Sequence, residues 1–309
     1  MFAIFLKTLP FFAIVGIGYF AGKARFFDEQ ATAYLNKFVF YFALSAMILK
    51  FSSQLALAEI LNWRFLAAYF AASCMVYLIV AGASIVRRVS WSEAAIEAHT
   101  AVSGNLGFIG LPMLVLIMGT AAIAPILMII IIDLVIFGSL AVIIITVSKE
   151  GSLSTKTLKS IGIALIKNPM IMSMVVGLLR SATNIPLAAP VSEFLGLLGA
   201  AATPCALFAI GASLAPKSAE RISVAIWIST AKLILHPCIC AIFAFWVFEI
   251  EPFLASAMVA CAALPVAGNV YLIAQHYNVA PARVSSAILV STVASIVTLS
   301  IVLSIVSGG

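Results

Sequence analysis

Long apolar runs alternate with short polar interruptions along almost the whole chain. A helix needs about 20 apolar residues to cross the hydrocarbon core of a bilayer, which is about 30 Å thick. Ten runs approach or exceed that length, and we call them predicted spans 1 to 10. They cover residues 2–20, 34–51, 65–86, 94–118, 121–147, 161–180, 193–214, 222–248, 254–276 and 283–306. The pattern predicts an all-α membrane protein with ten transmembrane helices.

Composition agrees with this prediction and excludes a water-soluble domain. Of the 309 residues, 64% are hydrophobic and only 9% are charged, and the mean hydropathy is +1.22. The first apolar run lacks a clean small-residue cleavage site, so we expect a retained helix rather than a signal peptide. The net charge is +6, but the basic residues form no stripe interleaved with aromatic residues, so no nucleic-acid partner is expected. The lipid bilayer is the expected surrounding.

Basic residues instead predict how the chain is oriented in the membrane. Most of them lie in or beside the loops that follow odd-numbered spans, whereas Lys7, Arg64 and Arg180 lie on the opposite side. Because cytoplasmic loops are enriched in Lys and Arg, we expect the odd loops to be cytoplasmic and both termini to be outside. The odd-loop residues are Lys23, Arg25, Lys37, Arg87, Arg88, Lys149, Lys156, Lys159, Lys167, Lys217, Arg221 and Arg283.

The longest polar connection, SKEGSLSTKTLKS at 148–160, divides the ten spans into two sets of five. An odd number of spans in each half forces the halves into opposite orientations across the bilayer, as in the inverted repeats of many secondary transporters. The sequence therefore predicts a first repeat at 1–147, a cytoplasmic linker at 148–160 and a second repeat at 161–309.

Predicted spans 4 and 9 carry helix-breaking residues at corresponding places. Span 4 contains SGNLGFIGLPM at 103–113, and span 9 contains AALPVAGNVYLIAQHY at 262–277. Pro and Gly can unwind a helix and leave backbone N–H and C=O groups free to meet a substrate or ion. Small residues also serve close helix packing, and the Asn amides could merely tie helices together. The candidate substrate-binding residues are Asn105, Gly107, Pro112, Pro265, Gly268 and Asn269, with Asn105 and Pro112 bracketing the expected unwound centre of span 4.

On these residues the chain resembles the auxin efflux carrier family, which includes plant auxin exporters and bacterial carriers described as malonate transporters. Further segments resemble signatures of that family in the same order. The five matching segments are GNLGFIGLP at 104–112, KNPMIMSMVVGLL at 167–179, TPCALFAIGASLA at 203–215, AKLILHP at 231–237 and ALPVAGNVYLIAQHYN at 263–278. One position departs from the pattern, since Ser45 stands in the second span where the family leads us to expect proline.

The resemblance implies a specific architecture and mechanism. A scaffold would comprise spans 1, 2, 6 and 7, and a transport domain would comprise spans 3–5 and 8–10. Spans 4 and 9 would cross at their broken centres. The transport domain would carry a small organic anion, such as a mono- or dicarboxylate, across a bacterial inner membrane by an elevator motion.

Three residues are candidates for coupling transport to protons. Asp133 is the acidic residue that the pattern places deep within a span, where a lone carboxylate costs about 3 kcal/mol. It could load and release a proton, or it could form a structural ion pair with Lys232. His276 is added because histidine changes charge near neutral pH. Lys232 and His236 share a helix face, and we expect His236 to contact a neighbouring carbonyl. Lys50 is interpreted as a side chain that extends toward the membrane surface.

Several functions remain open from the sequence. The leading hypothesis is a secondary or facilitative carrier of a small organic anion, with proton coupling or uniport. The alternative is a sodium/proton antiporter or a sodium-coupled carrier similar to bile-acid symporters. An intramembrane hydrolase would need Ser103 with His99, or Ser213, and a receptor would not require two matched breaks. We expect no enzyme, cofactor or metal site, and a homodimer stays open.

Overall fold

The computed structural model describes residues 2–55, 60–183, 186–215 and 222–306, and within these ranges the regular structure is helical apart from one isolated antiparallel bridge. We number the described helices in chain order. They are α1 Phe2–Lys23, α2 Glu29–Ser52, α3 Trp63–Val86, α4 Trp91–Val102, α5 Leu106–Met118, α6 Thr120–Glu150, α7 Thr155–Ile166, α8 Pro169–Ala182, α9 Ala189–Leu214, α10 Ile222–Val247, α11 Pro252–Ala262, α12 Gly268–His276 and α13 Pro281–Val306. Lys217 and Arg221 lie outside the described residues.

The helices are those of a multi-pass membrane protein. Six of them, α2, α3, α6, α9, α10 and α13, are long and apolar enough to cross a bilayer, and the bent pair α7 and α8 would make a seventh. Predicted spans 4 and 9 are not counted by this criterion, because each consists of two short helices separated by a break. The ten-span arrangement therefore remains a prediction.

Predicted span 6 and the linker before it differ from the expectation. Helix α6 runs on to Glu150 and α7 begins at Thr155, so most of the predicted linker 148–160 is helical. Predicted span 6, at 161–180, is bent by 62° between α7 and α8. The bend arises because Asn168 accepts hydrogen bonds from the backbone N–H groups of Met170 and Ile171 and thereby starts a new helix.

The structure contains both predicted helix breaks. The first occupies residues 103–105, between α4 and α5, and the second occupies residues 263–267, between α11 and α12. Asn105 starts α5, since its side-chain oxygen accepts a hydrogen bond from the N–H of Phe108. The prediction that Asn105 and Pro112 bracket the unwound centre is wrong. Pro112 lies inside α5, just after a π-helical turn at Leu106–Gly110, where the ordinary hydrogen-bond ladder is already shifted.

The helices pack into two groups. In the first group α1 packs on α9, and α2 packs on both α8 and α9. In the second group α3 packs on α4 and α10, α6 packs on α4 and α11, and α13 packs on α10, α11 and α12. Fewer contacts join the groups, chiefly between α5 and α9 and between α1 and α13. The two breaks belong to the second group.

Candidate functional site: two helix breaks in contact

The two helix breaks lie against each other and pair through their backbones. The N–H of Asn105 donates to the carbonyl of Pro265 at 2.8 Å, and the N–H of Ala267 donates to the carbonyl of Ser103 at 3.1 Å. Gly104 and Val266 thereby form an antiparallel bridge. Segments that are far apart in sequence therefore satisfy each other's exposed backbone groups within a buried part of the protein.

A buried carboxylate from α6 contacts the first break. Asp133 is only 3% exposed. One of its oxygens accepts a hydrogen bond from the N–H of Gly104 at 3.4 Å, and the other accepts one from the Tyr69 hydroxyl at 2.9 Å. Asp133 lies in a π-helical turn at Ile132–Phe137. Such turns interrupt a regular helix and are frequent at functional sites.

A buried lysine from α10 contacts the second break. Lys232 is fully buried, and its ammonium group donates to the carbonyl of Ala262, the last residue of α11. The same group lies 3.2 Å from Nδ1 of His236, whose Nε2 lies 3.0 Å from the Ser73 hydroxyl. Since Nδ1 faces an ammonium donor, Nε2 carries the ring proton and donates to Ser73. His236 therefore contacts side chains rather than the expected carbonyl.

Asp133 and Lys232 thus place opposite charges on the two breaks. Both side chains lie beside Gly104, but no direct ion pair joins them among the described residues. Gly104 lies beside both, since a Cβ atom built on it would be 3.5 Å from the Lys232 ammonium. Lys232, like Asp133, lies in a π-helical turn, Ala231–Leu235. The structural ion pair considered from the sequence is therefore replaced by two separate contacts with backbone.

A side chain of α13 accepts a backbone hydrogen bond from the second break, as Asp133 does from the first. The N–H of Val266 donates to the Ser291 hydroxyl at 3.1 Å. Gly104 and Val266 are the two members of the antiparallel bridge. Asp133 and Ser291 each lie in the span that follows the broken one. Each break therefore donates a backbone hydrogen bond to a side chain of the predicted span that follows it.

The two asparagines of the candidate site have different environments. Asn105 is 8% exposed, and its side-chain oxygen caps α5. Asn269 lies in the first turn of α12 and is half-buried. Its side-chain oxygen is buried and has no hydrogen-bond partner among the described residues. Asn105 consequently has a structural task, whereas Asn269 presents an unsatisfied polar group beside the second break.

Some of the remaining candidate site residues lie at the contact between the two breaks, and the others lie around it. Pro265 lies in the second break, and Gly268 is the exposed first residue of α12. Gly107 packs against Met170 of α8, with the Met170 methyl group 2.8 Å from where a Cβ atom would be. Pro112 is half-buried. His276 is exposed at the end of α12 and contacts the ring of Tyr277, so it is not part of the charged cluster.

Glu97 is a buried carboxylate that the sequence analysis overlooked. Asp133 is thus not the one buried acid among the described residues, because Glu97, near the start of predicted span 4, is fully buried in α4. Arg283 donates to it at 2.9 Å, and Ser84 donates at 2.6 Å. Arg87 also donates to it. Arg87 and Arg283 were interpreted only as loop charges, and a charge count along the loops carries no signal for such pairing.

The residues considered for a hydrolase do not form a catalytic pair. His99 is fully buried, and neither of its ring nitrogens has a hydrogen-bond partner among the described residues. Ser103 therefore does not donate to it, although the two are close in sequence. The hydroxyl of Ser213 donates to the carbonyl of Ile210 within its own helix.

A cavity of about 220 Å³ lies between α2, α5 and α9. Pro112 is the candidate residue that lines it, and Lys50 lies in its wall. Lys50 therefore faces a cavity, which the sequence interpretation of a side chain extending to the membrane surface did not predict. The complete lining is Met47, Lys50, Phe51, Pro112, Val115, Leu195, Gly196, Gly199, Ala200 and Thr203.

Comparison with known proteins identifies the family to which the chain belongs. The model of a family described as "Membrane transport protein" matches residues 3–303. The chain is also 29% identical over 306 residues to a protein of Rhizobium meliloti (strain 1021) named "Putative malonate transporter", and the match covers 98% of this chain and 95% of the relative. The chain belongs to the membrane transport protein family, which is the family of the auxin efflux carriers.

Proposed function

We propose that this protein carries a small organic anion, a mono- or dicarboxylate, across the membrane at the crossing of the two broken helices. The observation that carries the proposal is the pair of buried helix breaks held together by the 2.8 Å and 3.1 Å backbone hydrogen bonds. Broken helices near the middle of a bilayer are tolerated where they line a cavity or a site. The name of the Rhizobium meliloti relative makes malonate the first candidate substrate.

The charges at the crossing favour an anion over a cation. Helix α12 begins at the second break without a side-chain cap, so its first turn presents N–H groups and a partial positive charge, which suit a carboxylate. Asp133 is the one carboxylate that contacts the breaks among the described residues, whereas a hard cation prefers several oxygen ligands. The alternatives, a sodium/proton antiporter and a sodium-coupled carrier, require a strong sodium dependence that an anion uniporter or proton-coupled carrier would lack.

The packing of the helices supports an elevator mechanism. Helices α1, α2, α8 and α9 would form a scaffold, and the second group would move as the transport domain. The matching contacts of Gly104 with Asp133 and of Val266 with Ser291 support the inverted repeat of 1–147 and 161–309. We further propose an inner-membrane location with both termini outside, and a homodimer remains compatible with these contacts.

Proton coupling is proposed for Asp133 and Lys232. Binding or loss of a proton at Asp133 would change the charge at Gly104 and hence the affinity of the crossing for an anion. We expect Asp133→Asn to keep substrate exchange but to lose accumulation driven by an imposed pH gradient. Asp28→Asn, at an exposed helix cap, is the control. The variant His276→Gln tests the exposed histidine in the same assay. If uptake by the wild-type protein did not respond to the pH gradient, the coupling proposal would be wrong.

The central test is uptake of radiolabelled malonate, and of other small carboxylates, by purified protein in liposomes. We expect Asn269→Ala to raise KM about tenfold without lowering the melting temperature, because its side-chain oxygen has no partner to lose within the described structure. Asn105→Ala should weaken uptake and also lower stability, because it removes a helix cap.

Asn62→Ala is the matched control, because Asn62 caps α3 without contacting either break. It should lower stability while leaving KM unchanged. If Asn105→Ala and Asn269→Ala both transported every tested acid with wild-type kinetics, the crossing would not be the binding site. Uptake that requires a sodium gradient would favour the sodium-coupled alternative.

A further inference from the structure

The cavity between α2, α5 and α9 has the size and chemistry of a small-acid site. Its volume of about 220 Å³ is below the range of about 300–1,000 Å³ that holds drug-sized ligands. Its walls are mostly apolar or glycine, and Lys50 and Thr203 are the lining residues whose side chains end in a polar group. A few polar groups in an apolar cavity are the usual arrangement for binding and orienting a small ligand.

Lys50 is the charged residue in the cavity wall, and the described structure gives its charge no partner. No carboxylate lines the cavity. The ion pairs among the described residues join Arg87 and Arg283 to Glu93 and Glu97, and none includes Lys50. Lys50 as a whole is half-buried, and its ammonium group has no counter-ion within the described structure. This favours an anionic ligand, because a carboxylate would supply both the opposite charge and a hydrogen-bond acceptor.

The glycine at position 196 makes room for the Lys50 ammonium. A Cβ atom built on Gly196 would lie 2.6 Å from Nζ of Lys50, which is closer than the two atoms can approach. Gly196 and Lys50 belong to different helices, α9 and α2, so the position of the ammonium is determined by helix packing as well as by its own side chain. This contact argues against a lysine that simply extends along the helix to the membrane surface.

The cavity also lies between the two packed groups of helices. Lys50 and Gly196 belong to the group of α1, α2, α8 and α9, whereas Pro112 and Val115 belong to α5, which continues directly from the first break. A ligand in this cavity would therefore contact both the proposed scaffold and the proposed transport domain.

From this geometry we infer that Lys50 is a specificity-determining residue that binds a carboxylate group of the transported acid, with the Thr203 hydroxyl as a second polar contact. The inference rests on the proposed function and extends it by assigning a charge-recognising residue on the scaffold side. Transport should then require a negatively charged ligand small enough for the cavity, with Pro112 and Val115 contacting its apolar part.

The test compares malonate uptake by Lys50 variants in liposomes, together with malonate binding by calorimetry. We expect Lys50→Gln to raise KM and Kd for malonate about 10- to 100-fold, as for loss of a charge-assisted hydrogen bond. Lys50→Arg should stay within a few-fold of wild type, because it keeps the charge. Lys37→Gln, at an exposed lysine of the same helix, should change nothing.

Gly196→Ala is a second variant that keeps the lysine but displaces its ammonium group. It should also raise KM, by about tenfold, with little change in maximal rate. If Lys50→Gln fails to yield folded protein, Lys50→Met, which has an unbranched side chain of similar length without the charge, takes its place. A merely structural role for Lys50 would lower the melting temperature without moving KM and would overturn the inference.

The outcomes separate this inference from the proposed function. Wild-type uptake of malonate or another small acid, combined with an unchanged KM in Lys50→Gln and Gly196→Ala, would overturn the role of Lys50 and leave the carrier proposal standing. If the wild-type protein transported and bound no carboxylate at all, the carrier proposal itself would be wrong, and the inference about Lys50 would be overturned with it.

Discussion

Buried charges in this protein contact backbone or fixed partners rather than empty apolar surroundings. Asp133 accepts from a backbone N–H and a tyrosine hydroxyl, and Lys232 donates to a backbone carbonyl. Glu97 accepts from two arginines and a serine. Each arrangement reduces the free-energy cost of removing an ion from water. The first two charges lie on the helix breaks, whereas the third ties the ends of three helices together.

Glu97 should therefore contribute mainly to stability. It is fully buried, and it joins Ser84 of α3, and Arg87 directly after that helix, to Arg283 of α13. Breaking a buried pair by removing one partner costs about 3–5 kcal/mol. Arg87 is 34% exposed and Arg283 keeps its contact with Glu93, so we expect Glu97→Gln to cost about 2–3 kcal/mol.

The measurement is the melting temperature of the purified protein, which should fall by several degrees in Glu97→Gln. Glu193→Gln replaces an exposed carboxylate in α9 and should leave the melting temperature unchanged. An unchanged melting temperature in Glu97→Gln would show that the network adds no net stability, as happens when the cost of burying the ions equals their attraction.

At the scale of single residues, the sequence predicted which residues break a helix. It did not predict which residues from distant parts of the chain contact each other. Helix breaks are predicted at Gly104, Asn105 and Pro265, because the backbone preferences of these residues oppose a continuous helix. Asp133 and His236 each have one partner in α3, at sequence separations of 64 and 163 residues. Only the tertiary packing of hydrophobic helices brings such positions together, so neither spacing nor composition could identify Tyr69 or Ser73.

Among the helices, the two broken spans depend on acceptors supplied by their neighbours. An N–H group freed by a break must find another acceptor, because an unpaired buried donor costs about 1–3 kcal/mol. Gly104 finds Asp133 of α6, and Val266 finds Ser291 of α13. We therefore expect Ser291→Ala to lower stability by about 1–3 kcal/mol and to reduce the transport rate.

Ser295→Ala is the matched control for Ser291→Ala. Both serines are fully buried in α13 and both donate within that helix, but Ser291 also accepts from a break. The melting temperature and the rate of carboxylate uptake should fall further in Ser291→Ala than in Ser295→Ala. Equal effects of the two substitutions would mean that the contact with Val266 contributes nothing beyond an ordinary helix hydroxyl.

Close packing of α1 against α9 depends on glycine at specific positions. A Cβ atom built on Gly18 would lie 2.1 Å from the carbonyl oxygen of Phe208, whereas one built on Gly16 would have nothing within 4 Å. Gly18→Ala should therefore destabilise the protein by about 1–3 kcal/mol by forcing the two helices apart. Gly16→Ala should be neutral or stabilising by about 0.5–1 kcal/mol, because alanine favours the helix.

Melting curves of the two glycine variants provide the comparison, and opposite signs are the expected result. A Gly18→Ala protein as stable as Gly16→Ala would show that α1 and α9 can separate without cost. That outcome would also weaken the view that these helices form one rigid unit in the proposed scaffold.

On the scale of the whole molecule, the sequence predicted the class of fold better than it predicted how the helices pack against one another. Hydrophobic run length identifies membrane helices because a bilayer imposes a minimum length, and paired Gly and Pro clusters located both breaks. The cavity beside Lys50 was not predictable. It is formed by residues from α2, α5 and α9, and only their relative packing determines whether a lysine faces lipid, water or a binding site.

Relative motion of the two groups of helices is the feature on which the proposed elevator depends, and cross-linking can test it. Val115 of α5 and Leu195 of α9 line the same cavity from opposite groups. We expect a flexible, cleavable cross-link between Val115→Cys and Leu195→Cys to stop carboxylate uptake and a reducing agent to restore it, because the link would hold the transport domain to the scaffold. The background should lack Cys74, Cys205 and Cys238, the native thiols that are not fully buried.

A cross-link inside the scaffold supplies the matched control. Gly22 of α1 and Ala215 at the end of α9 are adjacent, since a Cβ atom built on Gly22 would lie 2.8 Å from that of Ala215. A link between Gly22→Cys and Ala215→Cys should leave uptake intact, because both residues would belong to the same rigid unit. Because Val115 and Leu195 also line the proposed binding cavity, malonate binding is measured by calorimetry with the first link closed. Retained binding, together with inhibition by the first link and not by the second, would follow from motion between the groups. Full uptake with the first link closed would mean that the substrate crosses without sliding α5 along α9.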